Sequence, residues 1–236
     1  MKELLQEKLK AYKNSYFENK EFQAWLKDSD LWVAAYTCLR LRGIEMGKKD
    51  LVDVLEGKLM EDLPLDIYGF AHAFRDLFKD MKACLQMQQS LDSKLINRFY
   101  KILFDGEGYR RDNPVVFEWN FVPPHFNSVE SEIDMLCKDI DKEPDPIERA
   151  INIHLGLDGI YPYGKETAVM ALVAMYYELM KDGVPLPSFT VDDEDYNKII
   201  KQYLANGVDE FTDMFARSEI NRLEQVMMFG IESQER

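Results

Sequence analysis

Ten consecutive residues, Ala168 to Tyr177, are apolar or aromatic, and no other feature of the chain restricts its fold as much. The run falls far short of the ~20 residues a bilayer-spanning helix needs. It therefore reads as a core helix, about Thr167 to Lys181, closed by Gly183. Helical spacing dominates elsewhere. Leu5, Leu9, Tyr12 and Tyr16 mark a first amphipathic stretch, and a second runs from about Leu31 to Arg42 behind cap signals at Ser29 and Asp30. A short helix follows Asp50. Beyond Pro64, the residues Ile67, Phe70, Phe74, Leu77, Phe78, Met81 and Leu85 recur at three- and four-residue steps, giving a long helix with a wide buried face. Ser93 is read as the cap of the next, with Ile96, Phe99, Tyr100 and Leu103 inward.

The period changes between Asp105 and Pro124. Val115, Phe117, Trp119 and Phe121 alternate with Val116, Glu118 and Asn120, which predicts a strand, most simply one arm of a hairpin stopped by Pro123-Pro124. Helical spacing returns from Val129 to Ile140. Asp145-Pro146 then supplies an N-cap and a first-turn proline for a helix carrying Ile147, Ala150, Ile151, His154 and Leu157 on one face. Asp192 and Asp193 open an acidic C-terminal pair of helices. The expectation is one mainly α domain over 1–236: N-terminal helices in 1–88, a core with a β-hairpin flap in 89–183, and acidic helices in 184–236.

Composition narrows the partners. Lys and Arg number 29 against 43 Asp and Glu, a net charge of −14. That argues against bulk binding to nucleic acid or anionic membrane, where clustered cations are needed. With 46% hydrophobic and 12% aromatic residues, the chain has ample material for a core. Cys38, Cys84 and Cys137 are odd in number and far apart, and the first residues lack an apolar export segment. A reduced, cytoplasmic protein is expected. No His/Cys spacing suggests a metal site. His72 and His154 lie in apolar helical patterns and read as packed residues, while His125 follows a proline pair in a turn. Met227-Met228-Phe229 reads as core or a dimer contact, so a homo-oligomer is compatible with the sequence.

Four pieces, in order, resemble the Fic (Fido) family over about Trp32 to Leu204. PIERAINIHLGLDGIYPY is similar to the family helix ending in an I-H-P-F signature, with Pro146, Ala150, His154, Ile160 and Pro162 matching. GYRRDNPVVFEWNFVPPHF resembles the flap hairpin and its proline turn, with Gly108, Tyr109 and Arg110 matching. DSKLINRFYKILF sits where the preceding helix belongs. CLRLRGIEMGKKDLVDVLEG resembles an inhibitory helix. Active members move AMP from ATP, with magnesium, onto a protein hydroxyl, so the resemblance implies a helical fold with a flap and a nucleotide loop.

The departures from that pattern bear on the chemistry. The family loop reads H-P-F-x-x-G-N-G-R-x-x-R; here Tyr161 to Val169 is three residues shorter, with Tyr161 at the histidine and Val169 at the last arginine. An imidazole near pKa 6.5 accepts a proton well at neutral pH, whereas a phenol near 10 is only about one part in a thousand ionised. Between Arg149 and Lys181 the only lysine or arginine is Lys165. Gly164, Lys165 and Thr167 precede a helix N-terminus that can receive an anion, although Glu166 in the same turn opposes a phosphate. A helix cap is the plainer reading of Gly164 and Thr167. At the inhibitory helix, Cys38 stands at the family hydroxyl and Arg42 at the glutamate, with Gly43 retained. Both halves of the family's inhibitory salt bridge are therefore replaced.

These residues order three readings. The first is a Fic-like protein with no catalytic residue and no cofactor or metal. It binds a protein or peptide partner through flap residues Val115, Val116, Phe117, Glu118 and Trp119, because strand addition needs only main-chain groups. The second is a transferase using ATP and magnesium through a rebuilt loop, with Tyr161 or another acid as base. The third is an orphan helical interaction module only superficially similar to the family.

Overall fold

The computed structural model describes residues 1–15, 20–60, 63–116, 121–189 and 193–234. Among them lie ten α-helices: α1 (Lys2–Asn14), α2 (Lys20–Arg40), α3 (Lys48–Leu55), α4 (Leu65–Gln86), α5 (Ser93–Phe104), α6 (Val129–Ile140), α7 (Pro146–Ile160), α8 (Thr167–Lys181), α9 (Asp193–Asn206) and α10 (Phe211–Gln234). The apolar run forms α8, at the centre. Residues from Val169 to Leu179 are all buried, and α2, α4, α5 and α7 pack around it. Its closest partner is the antiparallel α7, whose Ala150, Ile153 and Leu157 are fully buried. α6 approaches α7 at Gly156, where a methyl group would lie 2.6 Å from the Leu136 side chain.

Several boundaries follow from local chemistry. Asp145 accepts a hydrogen bond from the Ile147 N–H at 2.8 Å, and Pro146 occupies the first turn of α7 as expected. Gly183 ends the turn after α8 at φ +64°. Gly43, at φ +69°, turns the chain after α2, so its retention needs no catalytic explanation.

Other expectations are corrected. α2 begins at Lys20, not near Leu31. Ser29 and Asp30 lie inside it and take hydrogen bonds from Arg222 of α10 at 2.6 and 2.8 Å. The cap of α5 is Asp92, which accepts from Leu95 N–H at 2.7 Å, and Ser93 is already helical. Among the described residues there is no sheet and no hairpin of two strands. Instead, Val116 and Phe121 form one isolated antiparallel bridge, with N–H···O distances of 3.0 and 3.3 Å. Two residues paired antiparallel cannot sit on one arm, so the single-arm expectation does not hold for Val116 and Phe121. Phe117, Glu118 and Trp119 lie outside the described residues, as do Tyr16 and Asp192. No helix among the described residues is long and apolar enough to cross a membrane. At the C-terminal end, the Phe229 ring stacks on Trp25 at 4.0 Å while Met228 is exposed.

Candidate functional site

The α7–α8 connection is built from its aromatic residues outward. α7 ends on Tyr161, whose backbone is left-handed at φ +55° and whose N–H reaches Leu157 O at 2.8 Å. A bulky residue seldom adopts that region, and such strain persists only where surroundings impose it. Here Arg110 imposes it. Its backbone N–H donates to Pro162 O at 2.9 Å, its Nε to Tyr161 O at 2.9 Å, and its Nη2 to Pro124 O and Ile160 O. One arginine thus ties the start of the flap segment, its proline exit and the loop together. Tyr163 is buried beneath, stacked on Tyr100 at 4.0 Å and beside Tyr109 at 5.4 Å. Gly164 adopts φ +59° and opens a single 3-10 turn into α8.

Beside this loop lies a cavity of about 410 Å³. The loop supplies Tyr161, Gly164, Lys165 and Glu166; α8 supplies Ala168 and Val169. Arg42 and Leu41 come from the turn after α2, Phe104 from α5, Val116 from the bridge, and Asp158 and Asn197 from α7 and α9. The structure therefore gathers six sequence-selected positions, Arg42, Val116, Tyr161, Gly164, Lys165 and Val169, in one place. Arg42 lies over the Phe70 and Phe104 rings, 4.4 and 5.8 Å from their centroids, a cation–π arrangement that orders the guanidinium.

Four of the selected residues that are described do not line the cavity, Gly43 in the turn after α2 among them. Thr167 is buried, and its hydroxyl accepts from Tyr163 N–H at 3.1 Å instead of capping α8, which starts after Glu166 with no side-chain cap. Cys38 is fully buried and burial pushes its thiol well up, which keeps it protonated. Val115 is half exposed, outside the lining. Lys165 lies at the rim with its side chain 89% exposed, 3.9 Å from Glu166.

Sequence reasoning missed the floor. Asp158 is 1% exposed. Its Oδ2 accepts from the Tyr196 hydroxyl at 2.8 Å and lies 3.3 Å from His154 Nε2. With its one hydrogen on Asp158, the Tyr196 oxygen is left to accept from His154 Nε2, 3.0 Å away. Burial pushes the Asp158 carboxyl up to about 7 and the His154 imidazole down to about 3, both toward neutrality. The i, i+4 spacing of His154 and Asp158 was the available sequence signal; Tyr196, 38 residues on, was not legible. Among the described residues no three His, Cys, Asp or Glu side chains converge as metal ligands.

With the geometry in hand, likeness to solved structures becomes informative. The chain overlays a Fic-domain-containing signaling protein from Bacteroides thetaiotaomicron at TM-score 0.76 and 17% identity, covering 99% of this chain and 97% of that one. It overlays Fic-1 from C. elegans (residues 134–508) at 0.78 and 12%, covering 98% and 73%. For a Fic family protein from Desulfovibrio desulfuricans the values are 0.75 and 12%, covering 96% and 72%. The chain therefore has the Fic fold. No protein-family model and no curated protein matches the sequence. The overlays run along nearly the whole chain, so the fold is shared over its length.

Proposed function

We propose that this is a Fic-type protein without adenylyl-transfer activity, which works by holding a protein segment at the Val116–Phe121 bridge and the adjoining cleft. One observation carries the reading: the cleft presents a phenol, Tyr161, where the family resemblance calls for a proton-accepting imidazole. The backbone carrying that phenol is fixed by Arg110.

The residues present do not fit a triphosphate and its metal ion. Of the two cations in the lining, Lys165 projects into solvent beside Glu166 and Arg42 stands alone over the Phe70 and Phe104 rings, and the Thr167 hydroxyl is already engaged. Glu166 and Asp158 line the cleft and oppose a polyanion in a chain already at −14. Strand addition makes no such demand. Its affinity comes from main-chain groups, and the exposed Val115 and Val122 flank the bridge.

Two measurements test the reading. ATP with magnesium at millimolar concentration should leave the melting temperature unchanged, since a ligand at 100 times its dissociation constant adds roughly 2.7 kcal/mol; a saturable rise would contradict it. Panning a randomised peptide library should enrich extended sequences that bind the wild type and lose binding to Val116→Pro. Enriched peptides indifferent to that substitution would count against strand addition.

A second reading has one observation in its favour. Asp158 is a buried carboxyl in the cleft with a pKa near neutrality, where a general base works best. It would serve a transferase with a rebuilt loop. Transfer of label from a phosphate-bearing donor, abolished in Asp158→Asn, is the result that would promote it.

A further inference from the structure

The cleft holds a guanidinium and a buried carboxyl, each left incomplete by the protein. The Arg42 guanidinium stacks on Phe70 and Phe104, yet makes no ion pair or hydrogen bond with any described residue. The rings engage the guanidinium through its face-on charge and take none of its N–H groups, which are the donors that grip a carboxylate. At the floor, Asp158 is 1% exposed and uses only Oδ2 toward the protein; Oδ1 receives no hydrogen bond from any described residue. A buried carboxyl with one oxygen unused is costly unless something completes it.

Leu41, Phe104, Val116, Ala168 and Val169 supply apolar surface to the same lining, beside the polar Tyr161, Lys165, Glu166 and Asn197. We propose that the cleft binds a zwitterionic small molecule of the ω-amino-acid class, its ammonium on Asp158 Oδ1, its carboxylate on Arg42, and its methylene chain across the apolar wall. About 410 Å³ suits such a molecule, near the low end of ligand-pocket volumes. A net-neutral ligand is also not repelled by a chain at −14. Burial holds the Asp158 carboxyl up at about 7, as expected of a desolvated carboxyl awaiting a counter-charge. The assignment rests on the floor and mouth of the cleft and is independent of strand pairing at Val116.

Calorimetric titration of the full chain with ε-aminocaproate, caproate and hexylamine tests it, with γ-aminobutyrate as a shorter spacer. At least one amino acid of the pair should bind about tenfold or more tighter than both caproate and hexylamine, as two charge-assisted contacts exceed one. Arg42→Gln, an exposed change that leaves the core intact, should reduce the amino acid to the affinity of hexylamine. Asp158→Asn should reduce it to that of caproate. The proposal is overturned if the amino acids bind no better than the single-charge probes, if none binds, or if Arg42→Gln leaves the affinities unchanged. The titrations are made with no peptide present, and peptide panning with no amino acid, so loss of the amino-acid site and loss of strand addition are read separately.

Discussion

The α7–α8 hairpin and the flap segment meet at the Tyr161 loop, yet they are held by different means. The hairpin is core. Buried side chains run along both helices, and Arg149, only 7% exposed, joins them through Glu178 at 3.1 Å and through Asp182. The segment from Asp105 to Pro124 contributes one isolated bridge and leaves Val115 and Val122 at 47% and 68% exposure. It is attached to the loop chiefly by Arg110. The contrast separates two duties. Burial preserves the scaffold that shapes the cleft, while the flap segment, held by one bridge and one arginine, keeps Val115 and Val122 exposed beside it.

That contrast can be broken at four points of decreasing size. Arg149→Ala leaves buried Glu178 with only the half-exposed Lys181, 3.7 Å away, and should cost about 3 kcal/mol in denaturant unfolding. Pairing Arg149→Met with Glu178→Leu should recover most of it. Second, Asp158 makes the hairpin pH-sensitive. Its folded pKa is raised from 3.8 to about 7, so its contribution is full below about 3.8 and is lost as pH rises through about 7. Asp158→Asn should flatten that fall and be the more stable protein at pH ~8 by roughly 2–4 kcal/mol. His154, held down at about 3, acts oppositely: its contribution is full above about 6.5 and fades as pH falls toward 3, in both proteins.

Third, Arg110→Ala removes the donors to Tyr161 and Pro124, and should cost about 2 kcal/mol. Hydrogen exchange should rise at Tyr161 to Gly164 while the α8 amides stay protected. Uniform loss of protection would show that the loop and the hairpin are not separable. The smallest effect belongs to Val116→Pro, which deletes the N–H donating to Phe121 O and should cost less than about 1 kcal/mol. Its melting temperature should barely move while peptide capture is lost.

Much of the scaffold was legible because its causes are local. The Asp145-Pro146 start of α7, the span of α6 and the uninterrupted apolar run of α8 each follow from neighbours within a turn or two. The start of α2 was not, because Ser29 and Asp30 look like a helix cap, while their partner Arg222 lies more than 190 residues away. The flap failed for a related reason. Alternation records which residues are apolar and says nothing of how they pair, and the antiparallel pairing of Val116 with Phe121 takes those two off a single arm. At the cleft, Arg42, Tyr161 and Lys165 were found by family resemblance. The Asp158 floor required Tyr196 from α9, and Arg110 was legible as a matching residue but not as the clamp on Tyr161.

The most direct test of the central claim is label transfer from ATP radioactive at the α-phosphate, with magnesium or manganese, using the purified chain alone and with cell lysate. The account predicts no label on this protein or any other. Label that appears with the wild type and vanishes with Tyr161→Phe would contradict it.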